Sequence, residues 1–236
     1  MIGITSMANL NMEKKSNGFT LIELIVVIAV FLLIIGGAIG IFLSIISHQR
    51  RILYEQELLN QTSYIEEHMS KALRTATKDP SGNCLGIDYV GYSYLLTRPV
   101  TVGANTFFTG IKFLNQSDTD NLGVPKCEEF FLENAIPGNS STPLVLKEIR
   151  TDSPYTIPGS TVPLSSQKLI INSIRFGIDG FYGKNVAGSP VGDQDIGFAS
   201  FQPRITIVLN IQIQGDTQQP TRIMQTTVSQ RNLNIK

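Results

Sequence analysis

Residues 24–43 read LIVVIAVFLLIIGGAIGIFL, twenty positions without a charge or a polar side chain. No other feature restricts the fold of the chain as strongly. As a helix rising about 1.5 Å per residue, the run extends about 30 Å, the thickness of a bilayer's hydrocarbon core. A core helix of a soluble protein rarely stays apolar on every face for this long. A secretory signal has a shorter apolar stretch, about 7–15 residues, followed by a small-residue cleavage site. Here the run is longer, and the candidate cut precedes it. Residues of about 24–46 are therefore expected to span a membrane and to stay with the mature protein.

The rest of the composition is that of an ordinary soluble protein. The 236 residues carry 19 Lys+Arg against 19 Asp+Glu, so no net field steers the chain toward nucleic acid, and no nucleic-acid partner is predicted for it. The length suits one domain plus an appendage. Lys14 and Lys15 precede the span and Arg50 and Arg51 follow it, so counting basic residues leaves the orientation undecided.

Immediately before the span stand Lys14-Lys15-Ser16-Asn17-Gly18-Phe19-Thr20-Leu21-Ile22-Glu23-Leu24. This stretch resembles the cleavage and methylation site of type IV prepilins and type II secretion pseudopilins, with its basic leader, its Gly, its Phe-Thr-Leu-Ile-Glu and the apolar helix that follows. The resemblance implies a cut between Gly18 and Phe19 by a prepilin peptidase that also N-methylates Phe19. It further implies a cytoplasmic leader (1–18), a long N-terminal helix (19–78) and an extracytoplasmic β-rich head (79–236). The expected class is α+β and type IV pilin-like, with the helix packed on an antiparallel sheet. Expected partners are the peptidase, other pilin or pseudopilin subunits, an inner-membrane assembly platform and membrane lipid. The protein would start in the cytoplasmic membrane and move into a filament. No catalytic role and no cofactor are implied.

Glu23 is the one charge at the edge of the span. A carboxylate near hydrocarbon costs up to about 3 kcal/mol at a helix centre and usually has a partner. The family supplies one in the amine of Phe19, from the same or a neighbouring subunit, which makes Glu23 the candidate assembly contact. A first-turn carboxylate also suits the helix dipole. Snorkelling to the interface is the plainer alternative. Gly36 and Gly40 form a GxxxG pattern that either lets helices approach closely or marks a point of bending.

Beyond the span, apolar residues at Ile52, Leu58, Leu59, Ile65, Met69, Ala72, Leu73 and Ala76 recur at helical spacing, predicting an amphipathic continuation to residue 78 before the breaker cluster Asp79-Pro80-Ser81-Gly82. Strands are expected over 85–96, 106–114, 128–133, 144–149, 169–179, 204–214 and 221–228. The clearest is 204–214, where Ile205, Ile207, Leu209, Ile211 and Ile213 alternate with mostly polar residues. Phe130, Phe131, Tyr89, Tyr92 and Tyr94 read as sheet or core residues.

Cys84 and Cys127 lie in the head. In an oxidising compartment they would form one disulfide; two buried thiols are the other reading. His48 and His68 are twenty residues apart without companions at ligand spacing, and solvent-facing side chains are expected. The pairs Asp118/Asp120 and Asp193/Asp195 are spaced like calcium ligands, but no closing Glu follows them, and no metal site is assigned. No hydrolase elbow, phosphate loop or metalloprotease motif is present.

The large, β-dominated head is similar to those of minor pseudopilins of the J type and minor pilins of the W type, which prime filament growth. Two alternatives stand beside a minor subunit: a major pilin, or a membrane-tethered extracellular enzyme or receptor with an uncleaved anchor.

Overall fold

A single helix, α1 (Leu21–Arg74), leads into a sheet that contains every strand among the described residues. The computed structural model describes residues 18–155, 159–166, 168–180, 183–185, 190–191, 202–213 and 221–231. The chain divides into two units, Met1–Leu53 and Tyr54–Lys236. The first contains the apolar part of α1. The second contains the rest of α1 and all the strands among the described residues.

Within the second unit the order is β1 (Ala76–Thr77), a 3₁₀ turn (Ile87–Tyr89), β2 (Tyr94–Val102), β3 (Asn105–Thr119), β4 (Pro125–Asn134), β5 (Leu144–Thr151), β6 (Thr161–Pro163), β7 (Leu169–Asp179), β8 (Gly183–Asn185), β9 (Pro190–Val191), β10 (Arg204–Ile213) and β11 (Arg222–Ser229). The fold class is α+β, with antiparallel pairings throughout except between β2 and β8. The fifteen-residue β3 is the axis of the sheet. One of its edges takes β2 and then β1; the other takes β7 at Phe108 and β4 from Gly110 onwards. Beyond β7 come β10 and β11, and beyond β4 come β5 and β6.

Residues 54–74 of α1 bury one stripe against this sheet: Leu58, Thr62, Ile65, Met69, Ala72 and Leu73. Steps of four, three, four and three from Leu58 to Ala72, with Leu73 four after Met69, keep them on one helical face. Ile52 and Leu59, expected in that stripe, are instead about half exposed. Thr62 takes a buried place among the apolar residues because its hydroxyl donates to the Leu58 carbonyl one turn back, at 2.7 Å. The stripe meets Tyr94, Ile111, Phe113, Phe130, Leu146 and the alternating apolar row of β7 and β10. In β10, Ile205, Ile207, Leu209, Ile211 and Ile213 are all buried, as their period of two requires.

The helix was expected to reach residue 78, but it stops at Arg74, and Ala76 and Thr77 pair with β3 instead. One local and two tertiary bonds to its last carbonyls explain the stop. The Thr75 hydroxyl donates to the Ala72 carbonyl at 2.9 Å, the Tyr94 hydroxyl to Leu73 at 2.7 Å, and the Arg231 amide to Arg74 at 2.8 Å. Burial pushes the Tyr94 hydroxyl far above the usual tyrosine range, so it remains a donor. Tyr94→Phe is expected to cost about 1–2 kcal/mol by stranding the Leu73 carbonyl, measured by denaturant unfolding.

The expected strand over 85–96 begins only at Tyr94. Before it the chain winds around the buried carboxylate of Asp79. That group accepts from the amides of Gly82 (2.9 Å), Cys84 (2.8 Å) and Leu85 (2.8 Å). At Gly82 (φ 71°) a Cβ would sit 2.8 Å from the Gly86 carbonyl oxygen, so only glycine fits there. The loop ends covalently attached to the sheet: Cys84 and Cys127 are disulfide-bonded, with Cα atoms 5.5 Å apart. Leu85, Leu95 and Leu114 bury the bridge, with Tyr89, Tyr92 and Tyr155 packed around it.

Candidate processing and assembly site

Gly18 and Phe19 are exposed and precede the helix; Phe19 is 81% accessible. A Cβ at Gly18 would meet nothing within 4 Å, so local packing does not account for the glycine. Lys14 and Lys15 lie outside the described residues. The helix then opens with a reciprocal cap. The Thr20 amide and hydroxyl both donate to Glu23 Oε2 at 3.3 Å, and the Glu23 amide donates to the Thr20 hydroxyl at 3.4 Å. Thr-x-x-Glu at a helix start is the capping-box pattern, which satisfies amides that have no partner within the helix. The expectation for Glu23 considered only its charge. The Thr20 spacing carried the further signal, because both residues of the box stand in the sequence.

Along the apolar run the helix leaves its side chains largely exposed among the described residues. Leu24, Val27, Phe31, Leu33, Ile41 and Leu43 are each more than half exposed. Around Gly36, Gly37 and Gly40 an added Cβ would meet open space. Apolar surface on all sides of a helix is stable only in lipid or among other apolar helices. This helix is long and apolar enough to cross a membrane.

Residues 14–39, spanning the basic pair, Gly18, the capping box and most of the apolar run, match the family model for the prokaryotic N-terminal methylation motif. The chain carries this motif. It is the signature of type IV pilins and pseudopilins, and the apolar helix behind it fits membrane anchoring and incorporation into a filament. No match was found among curated proteins or among solved structures.

The methylation motif accounts for the N-terminal end alone; the other candidate residues lie farther along α1 and in the head. Among the described residues no group of three or more His, Cys, Asp or Glu is placed to hold a metal ion. Asp120 folds its own turn, accepting from the Leu122 and Val124 amides. Asp118 pairs with Lys126 and Arg150. Asp193 and Asp195 lie outside the described residues. His48 is exposed, as expected.

His68 departs from the expectation of a solvent-facing ring. It is half buried, edge-on to Phe130 with centroids 6.0 Å apart, and its Nε2 lies 3.3 Å from both carboxylate oxygens of Glu148. Glu148 belongs to a charged cluster with Glu128, Arg150 and Asp118 on the helix-facing side of β3, β4 and β5. Strand alternation alone could not reveal this cluster. In KEIRT one face carries Lys147, Ile149 and Thr151 and the other only Glu148 and Arg150, so alternation assigns the charged pair to the wet face, whereas Glu148 is buried beside Phe130.

Proposed function

We propose that the chain is a structural subunit, present in few copies, of a type IV pilus or type II secretion pseudopilus. The observation that carries this reading is a methylation motif placed directly at the start of an unpartnered apolar helix. Prepilin peptidase cuts between Gly18 and Phe19 and methylates the new terminus, leaving 218 of the 236 residues. The apolar part of α1 first holds the subunit in the cytoplasmic membrane and then packs among the helices of its neighbours. The assembly platform at the inner membrane drives that transfer. The head stands outside the cytoplasm, a placement supported by its buried disulfide. Its size and β-rich architecture favour a minor, J-like or W-like role over that of a bulk subunit.

Glu23 acts twice in this scheme. Its carboxylate caps the first turn, and after cleavage the free amine of Phe19 is one residue from the Thr20 amide that it already accepts. Glutamine can keep the cap but carries no charge, whereas alanine loses both. Glu23→Gln and Glu23→Ala are both expected to insert and be cleaved, and both to be depleted at least tenfold from sheared filaments. Normal incorporation of Glu23→Gln would reduce Glu23 to a cap.

Mass spectrometry of the membrane-extracted protein tests the whole proposal. N-methyl-Phe19 is the expected terminus, and an intact leader would indicate a tethered enzyme or receptor instead. Copy number in sheared filaments separates a minor from a major subunit.

A further inference from the structure

Glu128 is a buried acid that the filament reading does not use. On β4 it lies between Phe113 of β3 and Arg150 of β5, on the face covered by α1. It is 1% exposed, and neither carboxylate oxygen has a hydrogen-bond partner among the described residues. Asn115 stands beside it without reaching hydrogen-bond geometry; its own Oδ1 is engaged by Thr75 at 2.7 Å and by Ser117. An ionised carboxylate in such a place is costly unless a cation answers it closely.

The cation present is committed elsewhere. Arg150 Nε lies 3.5 Å from Glu128 but 2.9 Å from Glu148, and its Nη1 is 3.3 Å from Asp118. Three carboxylates thus share one guanidinium, which is itself 43% exposed. From α1, His68 answers Glu148, and that contact is an ion pair only when the imidazole is protonated. Burial pushes the Glu128 carboxyl up to about 7; Asn115 and Arg150 oppose the shift, and Glu148 and Asp118 add to it.

We propose that Glu128 is a proton-operated joint between α1 and the sheet, closed when its carboxyl is neutral and loosened when it ionises. In the neutral state Arg150 serves Glu148 and Asp118, and Glu148 in turn holds the His68 ring. On ionisation Glu128 draws Arg150 and water toward itself, and the helix stripe 58–74 loses part of its seat. The sign follows from the shift. A carboxyl raised in the folded state contributes stability that is fully present below its unfolded value, near 4.5, and is lost as pH rises through about 7. The helix–head joint of this subunit is therefore tightest under mildly acidic conditions.

Hydrogen exchange on the full-length protein in detergent tests the joint, with rates corrected for intrinsic pH dependence. Amides of residues 58–74 are expected to lose about tenfold in protection between pH 6 and pH 8 in the unaltered chain, and to change less than threefold in Glu128→Gln. The same tenfold loss in both proteins, or none in either, overturns the proposal. As a measurement that needs no variant, the ¹³C signal of the Glu128 carboxyl should titrate near neutrality. Titration below pH 5 overturns it as well.

Discussion

Replacing Cys84 and Cys127 together by alanine is expected to lower the stability of the head by about 4 kcal/mol. The two residues are 43 positions apart, and a link across a loop of that size removes about this much chain entropy from the unfolded state. Both residues are buried, at 3% and 2% exposure, so alanine adds a small cavity but no unsatisfied hydroxyl. The loss should appear first in the segment between Asp79 and Tyr94. Its remaining attachments are the Asp79 hydrogen bonds and the cluster around Leu85, Leu95 and Leu114. Denaturant unfolding with and without reductant measures the effect. A reduced protein that unfolds at the same midpoint would show that this loop is held by packing alone.

The second large effect is expected at Phe130. The side chain is fully buried, 5.7 Å from the Phe113 ring and 6.0 Å from His68, where α1 crosses β3 and β4. Phe130→Ala deletes a whole ring at a site lined by sheet backbone on one side and a helix on the other. Such a wall collapses poorly, so a cost of about 3–5 kcal/mol is expected, with a matching fall in unfolding midpoint. Ile223→Ala on β11, 70% exposed, should change stability by less than about 0.5 kcal/mol and serves as the comparison. Equal effects at the two sites would mean that the α1–sheet contact is not the core of the head.

Much of the strand content was legible because alternation is a local property. The bounds of β7 agree with the expected 169–179, and β10 shows the dry and wet faces that its isoleucines predict. Where the structure departs from local pattern, the deciding partner is distant in sequence. The helix stops at Arg74 because Tyr94 and Arg231 reach its last carbonyls from 21 and 157 positions away. The strand expected from residue 85 is delayed to Tyr94 because Asp79 gathers the intervening amides into a loop. His68 appeared solvent-facing until β4 and β5 brought Phe130 and Glu148 to it.

The N-terminal end is the opposite case. Its basic pair, glycine, capping box and apolar run are contiguous, and twenty residues without a polar group dictate a helix in an apolar medium whatever follows them. The sequence by itself therefore determined the methylation motif, the apolar helix and the α+β class. The tertiary structure alone decided where α1 ends, which face of β4 and β5 is dry, and that Glu128 lies beneath the helix with one shared arginine. Those outcomes depend on burial, and burial is set by which segments pack together, a property that no local stretch of sequence contains.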